Sequence, residues 1–353
     1  MAENNNQVSD LRSLSSSLCP PNPSAPRLSA PVRITEQVWP EGTLPVVSVF
    51  CITYNHANFI RDAIEGFLMQ ETTFPVQIFI HDDASTDGTA EIVKEYAQIY
   101  PKLFWTVLQT ENQWSKGNAI AYFFGFMQQL GGEFIALCEG DDYWTDNRKL
   151  QLQVDFLDRN AGFAACGHGA HYRNDKNEIL GFMPPEEYRR DYSKDELINV
   201  HAWIGSNSLV FRNVIQGCPK ELSHVLHGDN VLTSLLGHHG EFKYLKEIKP
   251  YIYREHLGGV WSSLGLRDKK MEQVNTMVGL FRYYNKRGSE KHAHSYYETL
   301  KFQMMKEYST NELLRESIKR MKPKMPDVLS WLRRTPLRAP LRKVRQMLFR
   351  RGL

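Results

Sequence analysis

Between residues 45 and 138 the chain repeats one pattern: a short apolar run, a polar break, and a stretch of apolar residues at helical spacing. This alternation is the strongest constraint on the fold. Two strands that run the same way in one sheet need a long crossover between them, and an intervening helix supplies it, almost always with right-handed sense. The first run, Pro45 to Ile52, is β-branched and apolar on both faces, as befits a central strand covered on both sides. Asn58 to Met69 then sets Ile60, Ile64, Phe67 and Leu68 on one helical face, with Asn58 as the expected N-cap. Val76 to Ile80 is a second strand; its helix turns Ile92, Val93, Tyr96 and Ile99 inward and ends at Pro101. Phe104 to Leu108, a helix over Asn118 to Leu130, and Phe134 to Cys138 complete the series. The fold class that follows is α/β, a Rossmann-like mixed, mostly parallel sheet flanked by helices.

Beyond Trp144 the rhythm loosens. Arg148 to Leu157 reads as a helix, Gly205 to Arg212 as a strand, and His227-Gly228-Asp229-Asn230 opens a helix running from Val231 to Leu236. Phe242 to Leu245 and Tyr251 to Tyr253 read as strands, and residues 268–320 as mainly helical. Residues 1–44, rich in Ser, Asn and Pro, carry too little apolar surface to offset ordering entropy and are expected to form a disordered tail. The expected organisation is that tail, a main domain over 45–265, a C-terminal helical extension over 266–325, and a basic amphipathic tail over 326–353.

Charge is divided unevenly. From Ile318 to Leu353 there are twelve Lys/Arg against Asp327, a net +11, which leaves the first 317 residues at −8 within an overall +3. A mildly acidic body argues against nucleic acid as partner. In the tail, Leu337, Leu341, Val344 and Leu348 recur at helical spacing among arginines, a pattern suited to anionic lipid headgroups; a solvated or subunit-docking tail is the plain alternative. Five widely spaced cysteines without a CxxC pair read as thiols in a reducing compartment. With no apolar run of the ~20 residues a bilayer requires, a cytoplasmic protein is expected, peripheral on the membrane if the tail binds it.

The strand ends carry the chemistry. In an open α/β sheet, ligands lie beyond the carboxyl ends of the strands. Here those ends read Thr53-Tyr54-Asn55-His56, His81-Asp82-Asp83-Ala84-Ser85-Thr86-Asp87-Gly88 and Glu139-Gly140-Asp141-Asp142-Tyr143-Trp144. The adjacent carboxylates Asp141 and Asp142 repel, and a hard divalent cation such as Mg²⁺ or Mn²⁺ relieves that repulsion and brings phosphates with it. Asp83 to Lys94 begins like a calcium loop, but Lys94 stands where a bidentate Glu is needed. Tyr143 and Trp144 are suited to stacking on a sugar face, or equally to filling core. Acids that merely cap turns remain the bland alternative throughout.

The three motifs, in this order and at this spacing, resemble a family 2 glycosyltransferase of GT-A fold over roughly residues 45–260. The resemblance implies that the first strand end, Thr53 to Asn55, meets the nucleotide, with Tyr54 packing on the base. It implies that Asp83 hydrogen-bonds the base with Asp82 beside it. Asp141 and Asp142 then form the acid pair at the sugar-nucleotide diphosphate, with Asp142 as direct metal ligand and Asp141 on the nucleotide side. The catalytic base is carried onto Asp229 from a Glu-Asp motif that survives here as Gly228-Asp229. His256 and Arg254 form an Arg-x-His, with His256 reaching the metal and Arg254 the substrate. The implied activity is inverting transfer from a nucleoside diphosphate sugar to a hydroxyl of a saccharide or lipid-linked saccharide, in surface polysaccharide or glycolipid synthesis. A sugar nucleotidyltransferase would instead place a glycine-rich basic loop after the first strand, and Thr53 to His56 holds neither Gly nor Lys. A non-catalytic sugar-nucleotide-binding scaffold is the alternative from another class.

Overall fold

The computed structural model describes residues 26–117, 119–174, 176, 178–256, 258 and 265–306. The basic tail and the first 25 residues lie outside these. The chain divides into two compact units, Met1–Gly265 and Leu266–Leu353.

In the first unit the strands are β1 (Val32–Arg33), β2 (Val47–Thr53), β3 (Glu71–Thr72), β4 (Val76–Asp82), β5 (Phe104–Leu108), β6 (Phe134–Leu137), β7 (Phe163–Gly167), β8 (Ala170–Arg173), β9 (Ile179–Met183), β10 (Val210–Arg212), β11 (Glu241–Tyr244) and β12 (Tyr251–Arg254). The helices are α1 (Ile60–Leu68), α2 (Thr89–Ile99), α3 (Ala119–Met127), α4 (Lys149–Arg159), α5 (Lys194–Ile198) and α6 (Gly228–Leu236). Seven strands form the central sheet in the order β11-β7-β10-β6-β2-β4-β5. All its pairings are parallel except those of β10, which runs antiparallel to β6 and β7. A smaller sheet, β12-β8-β9, stands beside it.

Alternation along the strands sends side chains to two faces. Val47, Val49 and Cys51 of β2 and Ile78 and Ile80 of β4 join Ile60, Ile64 and Phe67 of α1 and Leu150, Val154 and Leu157 of α4 in one buried cluster. Phe50 and Phe79 point the other way: Phe50 stacks 5.3 Å from Phe123 of α3, and Phe79 lies 5.2 Å from Phe126. The sheet is thus covered on both sides, which explains strands apolar on both faces.

Three readings change locally. Residues 26–44 are not all tail: β1 pairs antiparallel with β3, and Ile34 is buried in the core cluster, so one apolar residue and two ladder positions anchor a polar segment. Phe59, not Asn58, is the N-cap of α1, without a side-chain cap bond. The stretch from Gly205 begins as a tight turn at Ser206–Ser208 and becomes a strand only at Val210. The second unit contributes two helices, α7 (Leu266–Lys286) and α8 (Glu290–Lys306), joined by a short turn in which Gly288 has φ 70°. Among the described residues no helix is long and apolar enough to cross a membrane.

Candidate active site

Parallel register brings the motifs to one rim. Thr53 pairs with Asp82, and Phe50 with Leu137, so β2, β4 and β6 end at the same sheet edge. Asn55 takes a left-handed conformation, φ 54°, which Asn tolerates better than most residues. That turn lays the β2 end on the β4 end. The Asn55 N–H donates to Ser85 Oγ (2.8 Å), the Thr86 N–H to Asn55 Oδ1 (2.8 Å), and the His56 N–H to Thr89 Oγ1 (2.8 Å). Asp87 closes the clip by accepting the Ala57 N–H at 2.9 Å.

The next strand end is set by a close approach. A Cβ on Gly140 would lie 2.6 Å from Thr53 Oγ1 and 2.9 Å from Ile60 Cδ1, so only glycine lets the β6 end cross Thr53 here. The residues on either side of Gly140 go to the cleft, and Asp142 goes to the interior. Asp142 is 1 % exposed; one oxygen accepts the Arg254 N–H at 2.8 Å and the other accepts from Asn207 Nδ2. Burial and the charge of Asp141 push its carboxyl well above the usual range.

Asp141 is the acid of the cluster. Its Oδ2 lies 3.1 Å from His256 Nε2 and 3.7 Å from His56 Nε2, and its Oδ1 is buried without a hydrogen-bond partner. Burial opposes its charge, yet the His256 hydrogen bond and the two imidazoles outweigh that and hold its carboxyl below the ordinary value. Burial lowers His56, with Asp141 pulling the other way, which favours a neutral imidazole. Glu139 stays open to solvent although protein surrounds it, as a side chain lining a cleft does. That partial desolvation and the charges of Asp141 and Asp229 raise its carboxyl to about 8. Asp229 sits in the first turn of α6, exposed, with Oδ1 accepting the Asn230 N–H at 2.8 Å. Its influence on Glu139 joins α6 electrostatically to the sheet rim.

The sequence-derived site residues therefore divide. Tyr54, 41 % exposed, stands at the rim, and Asp141, His256 and Asp229 are the chemical groups associated with the cleft. Several others build the frame instead. Thr53 is buried beneath Gly140. Asn55 gives its amide oxygen to the Thr86 N–H. Asp82 is fully buried and accepts the Ser85 N–H and hydroxyl. Asp83 accepts the Gln113 N–H (2.7 Å) and the Trp114 N–H (3.0 Å), fixing the loop after β5. Asp142, expected as the direct metal ligand, is buried with both oxygens accepting hydrogen bonds, from the Arg254 N–H and Asn207 Nδ2, whereas Asp141 faces the imidazole cluster. Trp144 is core: 1 % exposed, 4.9 Å from the Phe67 ring, its indole N–H donating to the Asn207 carbonyl.

Arg254 is pinned between two regions. Its guanidinium bonds Asp62 and the Asp141 carbonyl (2.9 Å) and lies 4.5 Å from the Tyr143 ring centroid, which ties it to the backbone of Asp141. Tyr143, Asp62, Glu65 and Arg33 line an open groove of about 470 Å³ on its far side. The groove lacks the acid and imidazole cluster, and the chemistry is assigned to the rim. Glu139 and His56 were missed as site residues. Both stood in the quoted motifs; the signal was that Glu139 and Asp141 flank a glycine two positions apart, and that His56 follows an Asn able to turn the chain.

Residues 48–217 match the family model described as "Glycosyl transferase family 2". The "Uncharacterized protein Rv1520" of Mycobacterium tuberculosis is 38 % identical over 218 residues, covering 62 % of this chain and 61 % of that protein. The chain thus matches about three fifths of the length of that relative. TuaG of Bacillus subtilis, whose name connects it with teichuronic acid biosynthesis, is 31 % identical over 125 residues, 35 % of this chain and 47 % of TuaG. The crystal structure of Staphylococcus aureus TarS 1–349 in complex with UDP superposes with a TM-score of 0.51 at 16 % identity, covering 81 % of this chain and 78 % of that one. The mixed sheet with its helices on both faces is accordingly the GT-A type, and residues 48–217 are similar to glycosyl transferase family 2.

Proposed function

We propose that the protein transfers a sugar from a nucleoside diphosphate sugar to a hydroxyl acceptor with inversion at the anomeric carbon. The observation that carries this reading is the convergence of Asp141 and His256 at the rim, with Glu139 electrostatically linked to both Asp141 and Asp229. The residues fit a divalent cation: a carboxylate depressed in pKa, with one buried oxygen unpartnered, faces imidazole nitrogen. Asp141 and His256 would hold it. When bound, such an ion supplies Lewis-acid neutralisation of the departing diphosphate.

The chain's own groups do the rest. Tyr54, exposed at the rim, packs on the base in this reading, and Asp83 holds the loop after β5. Asp229, in the first turn of α6, takes the proton from the acceptor hydroxyl as that oxygen attacks. One displacement inverts the centre and needs no sugar–enzyme bond. TuaG's name makes a cell-envelope polysaccharide the first acceptor class to examine.

The test is a calorimetric screen of nucleoside diphosphate sugars with and without Mn²⁺, followed by transfer assays on Asp229→Asn. One donor should bind tightly only with metal, and Asp229→Asn should keep that binding while losing roughly 10²- to 10⁴-fold in turnover. Transfer unaffected by Asp229→Asn would overturn the assignment of the base; donor binding without turnover in the wild type would favour a scaffold.

A further inference from the structure

Trp203 is 46 % exposed, on the loop between α5 and the Ser206–Ser208 turn. We propose that Trp203, with Tyr188 and the carboxylates beside it, is a stacking platform for the acceptor, and that the acceptor is therefore a saccharide rather than a lipid alcohol or a protein hydroxyl. The inference rests on the proposed transfer reaction and concerns its second substrate.

The ring is held out into solvent at a cost. α5 closes with the Val200 N–H donating to the Leu197 carbonyl (3.0 Å) and the His201 N–H to the Glu196 carbonyl (2.8 Å), the paired bonds of a Schellman cap. The residue that turns the chain in such a cap is left-handed and ordinarily glycine; here it is the β-branched Val200, at φ 54°. Strain of this kind persists only where the surrounding structure imposes it, and it gathers at ligand sites. Three residues on, the Trp203 N–H donates to Tyr192 Oη (3.4 Å), and the hydroxyl of this buried tyrosine donates in turn to the Tyr188 carbonyl (2.8 Å). The indole then meets the Tyr188 ring at 5.3 Å and 60°. Backbone and ring are both fixed while nearly half of the residue stays uncovered.

Position ties this ring to the reaction. The Ile198 carbonyl, at the end of α5, accepts the hydroxyl of Ser234 of α6, the helix that carries Asp229. At the other end of the loop, Asn207 accepts the Glu139 N–H (2.9 Å) and donates to Asp142. Trp203 therefore stands between the helix of the proposed base and the sheet rim. Four residues separate it from Asn207, a span of at most ~14 Å, within reach of a short run of sugar units. The surroundings select the ligand. A pyranose offers a face of C–H groups to an aromatic ring and hydroxyls around its edge to carboxylates. Glu186 and Glu187, both exposed, lie in the short turn that ends at Tyr188. A lipid chain would need a broad apolar trough, and exposed acids beside the rings disfavour one.

The experiment begins with the full chain and no donor, on an array of immobilised oligosaccharides. Wild type should bind a subset of them. Trp203→Ala should bind that subset about tenfold or more weakly, and Trp203→Tyr should keep most of the affinity. Circular dichroism and calorimetric donor binding check that both variants are folded. In transfer assays on a bound saccharide, Trp203→Ala should raise the acceptor KM by the same factor and leave kcat within about twofold, since the ring binds the acceptor and moves no proton. No saccharide bound by wild type, equal binding by wild type and Trp203→Ala, or transfer to a hydroxyl on a molecule that carries no sugar overturns the inference. The two readings fail separately. Saccharide binding that depends on Trp203 in a chain that transfers no sugar sinks the proposed function alone, and transfer whose acceptor KM ignores Trp203 sinks this proposal alone.

Discussion

Removing the Asp142 carboxylate should unfold the protein more easily without touching the cleft, the reverse of what two adjacent acids suggest. In Asp142→Ala two buried donors, the Arg254 N–H and Asn207 Nδ2, lose their acceptor. Each orphaned group costs about 1–3 kcal/mol, and relief of repulsion with Asp141 returns part of it, so the net loss is about 2–4 kcal/mol. For a unit of this size that lowers the midpoint by roughly 5–10 °C. Asp141→Asn is the opposite case. Its carboxylate has one unpartnered oxygen and two imidazole neighbours, so the change costs little stability and removes the cation site. Urea midpoints and Mn²⁺ uptake on the two variants give a crossed pattern. An Asp142→Ala protein as stable as wild type and unable to bind Mn²⁺ would refute the placement of both acids.

Two further outcomes follow from the same packing. Lys149 is fully buried, over the Trp144 ring at 4.1 Å and bonded to Gln153 at 2.6 Å, and burial lowers it to about 7. Its folded pKa lies below the unfolded one, so the unfolded chain binds more protons between the two; the penalty, on the order of several kcal/mol, is complete below pH 7 and fades as pH rises. Urea midpoints should therefore climb from pH 7 to 9 in wild type and climb less in Lys149→Met; equal slopes would contradict this. Gly140→Ala drives a methyl to within 2.6 Å of Thr53 Oγ1 and should cost about 1–3 kcal/mol by displacing the turn that carries Glu139 and Asp141. Calorimetry should show Mn²⁺ affinity falling with it, and a stable Gly140→Ala protein with full affinity would count against the close approach.

The framework was legible because periodicity and burial report the same thing. Val47 to Thr53, Val76 to Asp82 and Phe134 to Leu137 are short apolar runs between amphipathic stretches, and the sheet has them adjacent and parallel. What the sequence hid was direction. Asp82, Asp83, Asp141 and Asp142 look equivalent in a string of letters, but turn geometry sends Asp82 and Asp142 inside, gives Asp83 to a loop, and leaves only Asp141 on the cluster. Partners distant in sequence decide this: Asn207 and Arg254 claim Asp142 from 65 and 112 residues away. Trp144 was ambiguous for the same reason, since nothing local announces that the Asn207 carbonyl awaits its indole N–H.

Asn55 is not a member of the His56, Asp141 and His256 cluster, yet it governs the turn that carries one of them. Its left-handed φ and its bond to the Thr86 N–H are separable. Asn55→Gly keeps the backbone free to turn and removes only the bond, whereas Asn55→Ala removes the bond and adds strain of about 1 kcal/mol at positive φ. If the turn is what aims His56, Asn55→Gly should retain most Mn²⁺ affinity and Asn55→Ala should lose several-fold, with stability falling by about 1–2 kcal/mol in the latter. If instead the amide contacts a ligand directly, both variants should weaken nucleotide binding equally and leave Mn²⁺ uptake unchanged. Side-by-side titrations of the two variants with Mn²⁺ and with a nucleoside diphosphate decide between a residue that shapes the loop and one that reads the substrate.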